Sequence, residues 1–351
     1  MMNGLSQVAS SHKISQHKEK LKAYLRGEHI APVTLELDIT SKCTRVCEDC
    51  PSSRSPIHME LSLPFLDELF SSFEKDTKGL LMTGGEPTLS PDFGKALKLA
   101  RARGLEEIAV VTNGSLLDQP LVLDALLEHV STIRVSMYDW APESCGGIIP
   151  ILEKIELVRK NIENTHSSLQ IGISALTSEE RVPRLAELTA LVRKAGADWI
   201  YFHPMCTGWG NGHLKPVSQR GVVEEVQRIK SANTHLEFNV HISDNRYIDE
   251  PIHFEGYHAA HFLLVVGADG KNYLGAEVKY QPDFAICDIR DVGVGNFLRN
   301  GQRLQKIESV HSDNYTALLS RHRGVLYNGL IESVRDEGIP PAGEYKFPHI
   351  L

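Results

Sequence analysis

The sequence predicts an α/β chain built on a parallel sheet, followed by a smaller α+β domain. Three observations lead there. Short apolar runs alternate with amphipathic stretches of helical period through residues 32–203, giving six strand-and-helix units in succession. That rhythm changes after Trp209-Gly-Asn-Gly212. Beyond it, the stretches 262–267 and 271–275 flank an Ala-Asp-Gly turn, which is a hairpin signature.

Taken in order, residues 12–27 carry Lys, Gln, Leu and Tyr at helix-compatible spacing, a lead-in helix after a Ser-rich start. Residues 32–40 alternate apolar and polar side chains, as a strand with one buried face does. Helices are then expected at 63–74, 91–103, 121–129, 151–163 and 181–195. The intervening strands are expected at 79–83, 108–112, 132–137, 169–175 and 198–203. A helix at 218–232, two more at 298–310 and 315–336, and a Pro-rich tail complete the chain. The expected organisation is a lead-in at 1–31, a core at 32–212 and a small C-terminal domain at 213–351. Such alternation fits either a doubly wound sheet or a partial barrel, and periodicity does not choose between them.

Composition narrows the function. The 351 residues are 42% hydrophobic with a formal net charge of -8 and no long basic run, which argues against a nucleic-acid partner gripped through many phosphates. No apolar run reaches the roughly 18 to 20 residues of a spanning helix. The polar residues 1–20 lack a signal-peptide core, so no membrane association and a cytoplasmic location are expected. Six cysteines are too few for a disulfide scaffold in so long a chain, and a reducing compartment keeps thiolates available for metal.

Half of those cysteines lie within eight residues, in Cys43-Thr-Arg-Val-Cys47-Glu-Asp-Cys50. Thiolates at intervals of four and three can converge on one face of a loop. Three sulfurs leave one over after any disulfide, which suits an inorganic centre better. A structural zinc site is the competing reading, but zinc takes four protein ligands in a closed site and no second cysteine knuckle exists. The loop follows the first strand. In parallel α/β architectures, binding residues collect beyond the carboxyl ends of strands. The second strand ends in Thr83-Gly-Gly-Glu-Pro87, the third in Thr112-Asn113-Gly114, the fourth in Ser136-Met-Tyr-Asp-Trp140, the fifth at Ser174 and the sixth in His203-Pro-Met-Cys206.

The Cys-x3-Cys-x2-Cys loop after a first strand, with Gly84-Gly85-Glu86-Pro87 after the second and Thr112-Asn113-Gly114 after the third, resembles the radical S-adenosylmethionine (radical SAM) enzymes over residues 33–206. The resemblance implies a partial (β/α)6 TIM-like barrel. It implies one 4Fe-4S cluster on Cys43, Cys47 and Cys50, whose fourth iron chelates S-adenosylmethionine, and a flavodoxin or ferredoxin-type electron donor. Reductive cleavage would yield a 5'-deoxyadenosyl radical that abstracts hydrogen from substrate. By the same analogy, Gly84, Gly85, Glu86 and Pro87 meet the methionine amino group. Asn113, Ser136, Ile173 and Ser174 meet the ribose, carboxylate or adenine. Asp49 departs from the family, which commonly has an apolar residue before the third cysteine.

The hairpin at 262–275, with the stretch 291–297, resembles the SPASM and twitch extensions of that superfamily, whose cysteines hold auxiliary clusters. Here Tyr273-Leu274-Gly275 stands where a cysteine would be expected and only Cys287 is near. The expectation is therefore a twitch-like cap without an auxiliary centre. Substrate contacts are expected from Tyr138, Asp139, Trp140, Tyr201, His203, Asp244, Asn245, Arg246, Glu255 and His258, and Cys206 is the candidate hydrogen donor. The expected substrate is a small polyhydroxylated molecule (a sugar, aminocyclitol or nucleoside of natural-product biosynthesis) undergoing dehydrogenation, decarboxylation or epimerisation. A ribosomal peptide is one rival, disfavoured by the short N-terminal lead. A non-catalytic iron-sulfur scaffold is the other.

Overall fold

A computed structural model describes residues 11–47, 50, 52, 57–73, 75–138, 140, 145–207, 215–234, 236–242, 247, 253–311, 318–341, 343 and 345–351. The strands are β1 (Thr34–Thr40), β2 (Gly79–Gly84), β3 (Glu107–Thr112), β4 (Thr132–Met137), β5 (Gln170–Thr177), β6 (Trp199–Pro204), β7 (Cys206–Thr207), β8 (Lys215–Pro216), β9 (Asn239–Ile242), β10 (Leu263–Val266), β11 (Lys271–Tyr273) and β12 (Ala285–Asp288). The helices are α1 (Lys18–Leu25), α2 (Leu63–Phe73), α3 (Phe93–Ala102), α4 (Pro120–His129), α5 (Ile149–Thr165), α6 (Leu185–Lys194), α7 (Val222–Asn233), α8 (Ala259–Phe262), α9 (Ile289–Val292), α10 (Gly301–Glu308) and α11 (Leu318–Glu337).

These elements group into two compact units, residues 1–108 with 208–214 and 250–351, and residues 109–207 with 215–249. Hydrogen bonding shows why the C-terminal hairpin falls in the first unit. Strand β10 pairs parallel with β1, Thr34 opposite Leu263, while β2 takes the other side of β1. The predicted hairpin forms between β10 and β11, and β12 adds to it antiparallel. The first unit thus has the order β12-β11-β10-β1-β2, with the hairpin extending the sheet that holds the cysteine loop.

The second unit is a run of parallel strands in the order β3-β4-β5-β6-β9. Neither run closes on itself, so the chain has an open, mainly parallel α/β sheet and not a closed barrel. Strand β9, unforeseen in the sequence, pairs with β6 through Trp199 opposite Asn239. The helix expected at 181–195 begins instead as a 3-10 turn, Glu179–Arg184, which contains Pro183, and continues as α6.

Strand β1 corrects a second expectation, since all seven of its residues are buried. Its odd positions, Leu35, Leu37 and Ile39, make an apolar face. Its even positions are polar and are satisfied inside the protein. At the bottom, Thr34 Oγ1 donates to the His349 carbonyl at 2.6 Å and accepts from the Leu351 N–H at 3.1 Å. The tail that reaches there is held by the fully buried Lys13, whose ammonium donates to the carbonyls of Phe347 (2.9 Å) and Ile350 (2.7 Å). Glu107 accepts from the His349 N–H at 2.7 Å, and burial pushes its carboxyl up to about 7.

Candidate active site

The first unit builds the cysteine loop from its two neighbouring strand ends. Beyond β1 the backbone is tied to β2. The Gly85 N–H donates to Thr40 O (2.9 Å) and the Glu86 N–H to Lys42 O (2.6 Å). On the far side of the loop, Ser52 Oγ donates to Gly84 O at 3.0 Å. Entry and exit of the cysteine loop are therefore both anchored on Gly84-Gly85-Glu86.

The two glycines make that approach possible. A Cβ on Gly84 would fall 2.4 Å from Thr40 O, and one on Gly85 would fall 2.1 Å from Lys42 O. Their missing side chains thus face the cysteine loop's own backbone. Glu86 is fully buried, and its Oε1 accepts from the Thr88 N–H (3.2 Å) and hydroxyl (2.6 Å), capping the 3-10 turn Pro87–Leu89. Cys43 and Cys47 are exposed, Cys50 is half-buried, and all three are thiols outside any disulfide.

Behind the loop lies a buried ionic network that sequence reasoning missed. Asp38, with no exposed surface, accepts from Lys279 Nζ (2.5 Å), Thr83 Oγ1 (2.6 Å) and Tyr280 OH (2.7 Å). Glu36 Oε1 lies 3.9 Å from the same ammonium. Burial works against the Lys279 charge, but the two carboxylates outweigh it and hold its pKa above the usual lysine value; the Cys50 sulfur adds to that pull. Tyr280 sits at φ 64, a left-handed conformation costly for an aromatic residue, and its hydroxyl also accepts from the Ala268 N–H at 3.1 Å.

In the second unit the pleat sorts the strand ends onto two faces. Register pairs Ser136 with Ser174 and Ser174 with Tyr201, and two residues further Leu176 pairs with His203. Ser174 Oγ hydrogen-bonds His203 Nε2 at 2.8 Å. The His203 ring stacks on Tyr201 (centroids 5.6 Å, 25°) and meets Tyr138 edge-on (5.8 Å, 80°). Five residues named from the sequence, Ser136, Tyr138, Ser174, Tyr201 and His203, thus share one polar face.

Other expected residues lie elsewhere. Ile173 falls on the face opposite Ser174, in register with Val135 and Ile200. On the polar face the Trp199 ring covers Gly172, where a Cβ would fall 1.9 Å from it. Trp140 is completely buried, with the Arg181 guanidinium 4.7 Å above its ring centroid. Asn113 Oδ1 accepts from the Ser115 N–H at 2.9 Å, stabilising its own turn.

Glu255 and His258 are in the first unit. Glu255 is exposed and its backbone forms an isolated antiparallel β-bridge with His311, and His258 hydrogen-bonds the Tyr24 hydroxyl beside the apolar cluster of Phe262 and Tyr327. Tyr273, in the place where a cysteine was looked for, donates to Asp269 at 2.7 Å; Cys287 pairs opposite Asn272, and burial raises its thiol pKa. Asp49, Asp139, Asp244, Asn245 and Arg246 lie outside the described residues, as does the side chain of Cys206, whose backbone forms β7.

Residues 37–171, which span the cysteine loop, the Gly-Gly-Glu-Pro turn and the polar face of β4, match the Radical SAM superfamily. The chain carries a radical SAM domain. A probable GTP 3',8-cyclase of Methanococcus maripaludis (strain C7) is 26% identical over 297 residues, covering 78% of this chain and 91% of that protein. The GTP 3',8-cyclase of Chlorobaculum tepidum is 30% identical over 165 residues, 44% of this chain and 49% of that one. Among solved structures, Streptococcus suis SuiB bound to S-adenosylmethionine superposes with a TM-score of 0.60 at 14% identity, over 83% of this chain and 76% of SuiB.

Radical SAM family members are enzymes, and the family implies a 4Fe-4S cluster and S-adenosylmethionine. The donor set fits such a cluster: three soft thiols on one short loop, with both loop ends pinned by backbone hydrogen bonds. Among the described residues no three His, Cys, Asp or Glu side chains surround a point able to hold a single metal ion. A cubane makes a different demand, since its thiolates bind separate irons. Also among the described residues, no helix is long and apolar enough to cross a membrane.

Proposed function

We propose that the chain is a radical SAM enzyme that abstracts hydrogen from a small polyhydroxylated substrate, with a nucleoside or nucleotide the first class to test. Cys43, Cys47 and Cys50 hold the cluster, and a flavodoxin or ferredoxin-type protein supplies the electron. When bound, the cluster and S-adenosylmethionine supply a 5'-deoxyadenosyl radical. The observation that carries the reading is the anchoring of both ends of the cysteine loop on Gly84-Gly85-Glu86, which fixes the three thiols relative to the second strand end. Likeness over most of their length to proteins named GTP 3',8-cyclase supports the substrate class.

The residues of the chain then divide the work. The backbone of Gly84 to Glu86 orients S-adenosylmethionine, and the hydroxyls of Ser136 and Ser174 on the second unit's polar face are separate candidates for ligand contact. Tyr138, Tyr201 and His203 give the substrate one aromatic wall with hydrogen-bonding edges, a surface that suits a base or a hydroxylated ring. Asp139, Trp140, Arg246 and Glu255 remain lesser candidates for substrate contact. Cys206 remains the candidate for returning a hydrogen atom, and the 213–351 stretch a twitch-like extension lacking auxiliary-cluster cysteines.

The test is anaerobic reconstitution, with iron and sulfide measured per chain, followed by reduction with dithionite. About four irons per chain and release of 5'-deoxyadenosine are expected. Perdeuterated GTP, free sugars and peptide, supplied separately, should show deuterium in the 5'-deoxyadenosine only with the hydroxylated class. Full cluster content without any 5'-deoxyadenosine would favour an iron-sulfur scaffold, and deuterium arriving from peptide alone would overturn the substrate class.

A further inference from the structure

Arg134 lies on β4, two residues before Ser136 and on the same polar face, in register with Gly172 and, through it, with Trp199. It is half-buried, and its Nε is sealed from solvent. Among the described residues it has neither a hydrogen-bond acceptor nor an ion-pair partner. A sealed donor such as this Nε–H normally has an acceptor, so leaving it without one is costly.

The surroundings show what would compensate it. The Trp199 indole occupies the space that Gly172 leaves bare. Its Nε1–H is buried and without an acceptor, in a side chain only 4% exposed. The next row along the strands holds Ser136, Ser174 and Tyr201. Strands β4, β5, β6 and β9 contain no Asp or Glu. The face thus offers a guanidinium, an indole N–H and hydroxyl donors without a carboxylate to accept from them, and the complement of such a set is an oxyanion.

We propose that Arg134, with the Trp199 N–H in the same row of the face, anchors an anionic group of the substrate, a phosphate or a carboxylate, on the polar face of β4 to β6. This rests on the reading of that face as the substrate's and adds that the substrate is charged. At about 3.3 Å of rise per residue, the Arg134 row lies roughly 6 to 7 Å below the Ser136–Ser174–Tyr201 row. A small molecule can therefore reach both, its anion at the arginine and its hydroxylated ring at the aromatic wall.

The experiment uses the reconstituted full chain, with inorganic phosphate and acetate as probes and sodium chloride as the ionic-strength control. Titration calorimetry should detect binding of phosphate or acetate. Arg134→Gln should weaken it at least tenfold, with Arg134→Lys in between, because lysine keeps the charge but loses the planar fork. Tighter phosphate identifies a phosphorylated substrate, and tighter acetate a carboxylate. On the wild-type chain, the same anion should slow phenylglyoxal modification of Arg134, read by peptide mass spectrometry, so the question is decided even if Arg134→Gln fails to fold. Equal affinity in wild type and variant, no binding by either anion, or an unprotected Arg134 overturns the proposal. Formation of 5'-deoxyadenosine is measured apart from this, so either reading can fall while the other stands.

Discussion

Removing the Lys279 ammonium tests whether the network behind the cysteine loop holds the first unit together. At an effective dielectric constant of about 20, the contact at 2.5 Å to Asp38 contributes roughly 6 to 7 kcal/mol of attraction and the 3.9 Å approach to Glu36 about 4. Desolvation of three ions, several kcal/mol each, offsets most of this, so the intact network is worth little net. Its disruption is another matter: Lys279→Met leaves the Asp38 carboxylate buried without the ammonium it hydrogen-bonds, at an expected cost of about 3–5 kcal/mol. Asp38→Asn in the Lys279→Met background removes one stranded charge and should recover a substantial part. The assay is thermal or urea denaturation of the apo chain, monitored by circular dichroism. A single variant as stable as wild type, or a double variant less stable than the single one, refutes the reasoning. The pH dependence has a definite sign: with the folded pKa of Lys279 above the unfolded value, its contribution is complete below about 10.4 and lost as the pH rises through the folded pKa. Wild type should lose its advantage over Lys279→Met only in that alkaline range.

Three other outcomes are expected. Gly85→Ala, whose Cβ would meet Lys42 O at 2.1 Å, should displace the cysteine loop and lower iron content after reconstitution, while Gly293→Ala, a site with open space but positive φ, should cost stability without lowering iron. Glu107 should make the chain less stable as the pH rises from about 4.5 to 7, because its folded pKa, about 7, lies above the unfolded one; Glu107→Gln should flatten that slope in a urea titration series. His203→Phe keeps the ring stack with Tyr201 but removes the 2.8 Å bond to Ser174; if the polar face binds substrate, product formation should fall at least tenfold while iron content stays at the wild-type level.

Residue chemistry was more legible in the sequence than residue partnership. The cysteine loop could be read because thiols at that spacing admit few uses, and the hairpin because Ala-Asp-Gly announces its own turn. Strand β1 was placed correctly, yet its polar positions read as a solvent face. Nothing local in Glu36 or Asp38 reveals that Lys279, far along the chain, will neutralise them. The pairing of β10 with β1 was hidden for the same reason, since parallel strands share no turn to mark the pairing. Arg134 is not legible as a site residue, because an isolated arginine in a strand gives no signal until its neighbours prove to be donors. Short β9 carries too little apolar pattern to stand out.

The parallel pairing of β1 with β10 sets an order of events in synthesis. When Thr40 has left the ribosome, one edge of its strand must wait for Leu263 and the segments between them. Until then the backbone groups along that edge have no strand to bond, and the carboxylates of Glu36 and Asp38 await Lys279, which arrives later still. The cysteine loop therefore acquires its finished mounting late. Iron delivered to a nascent chain would meet three cysteines on an unfinished scaffold, so the fold itself favours maturation after release from the ribosome.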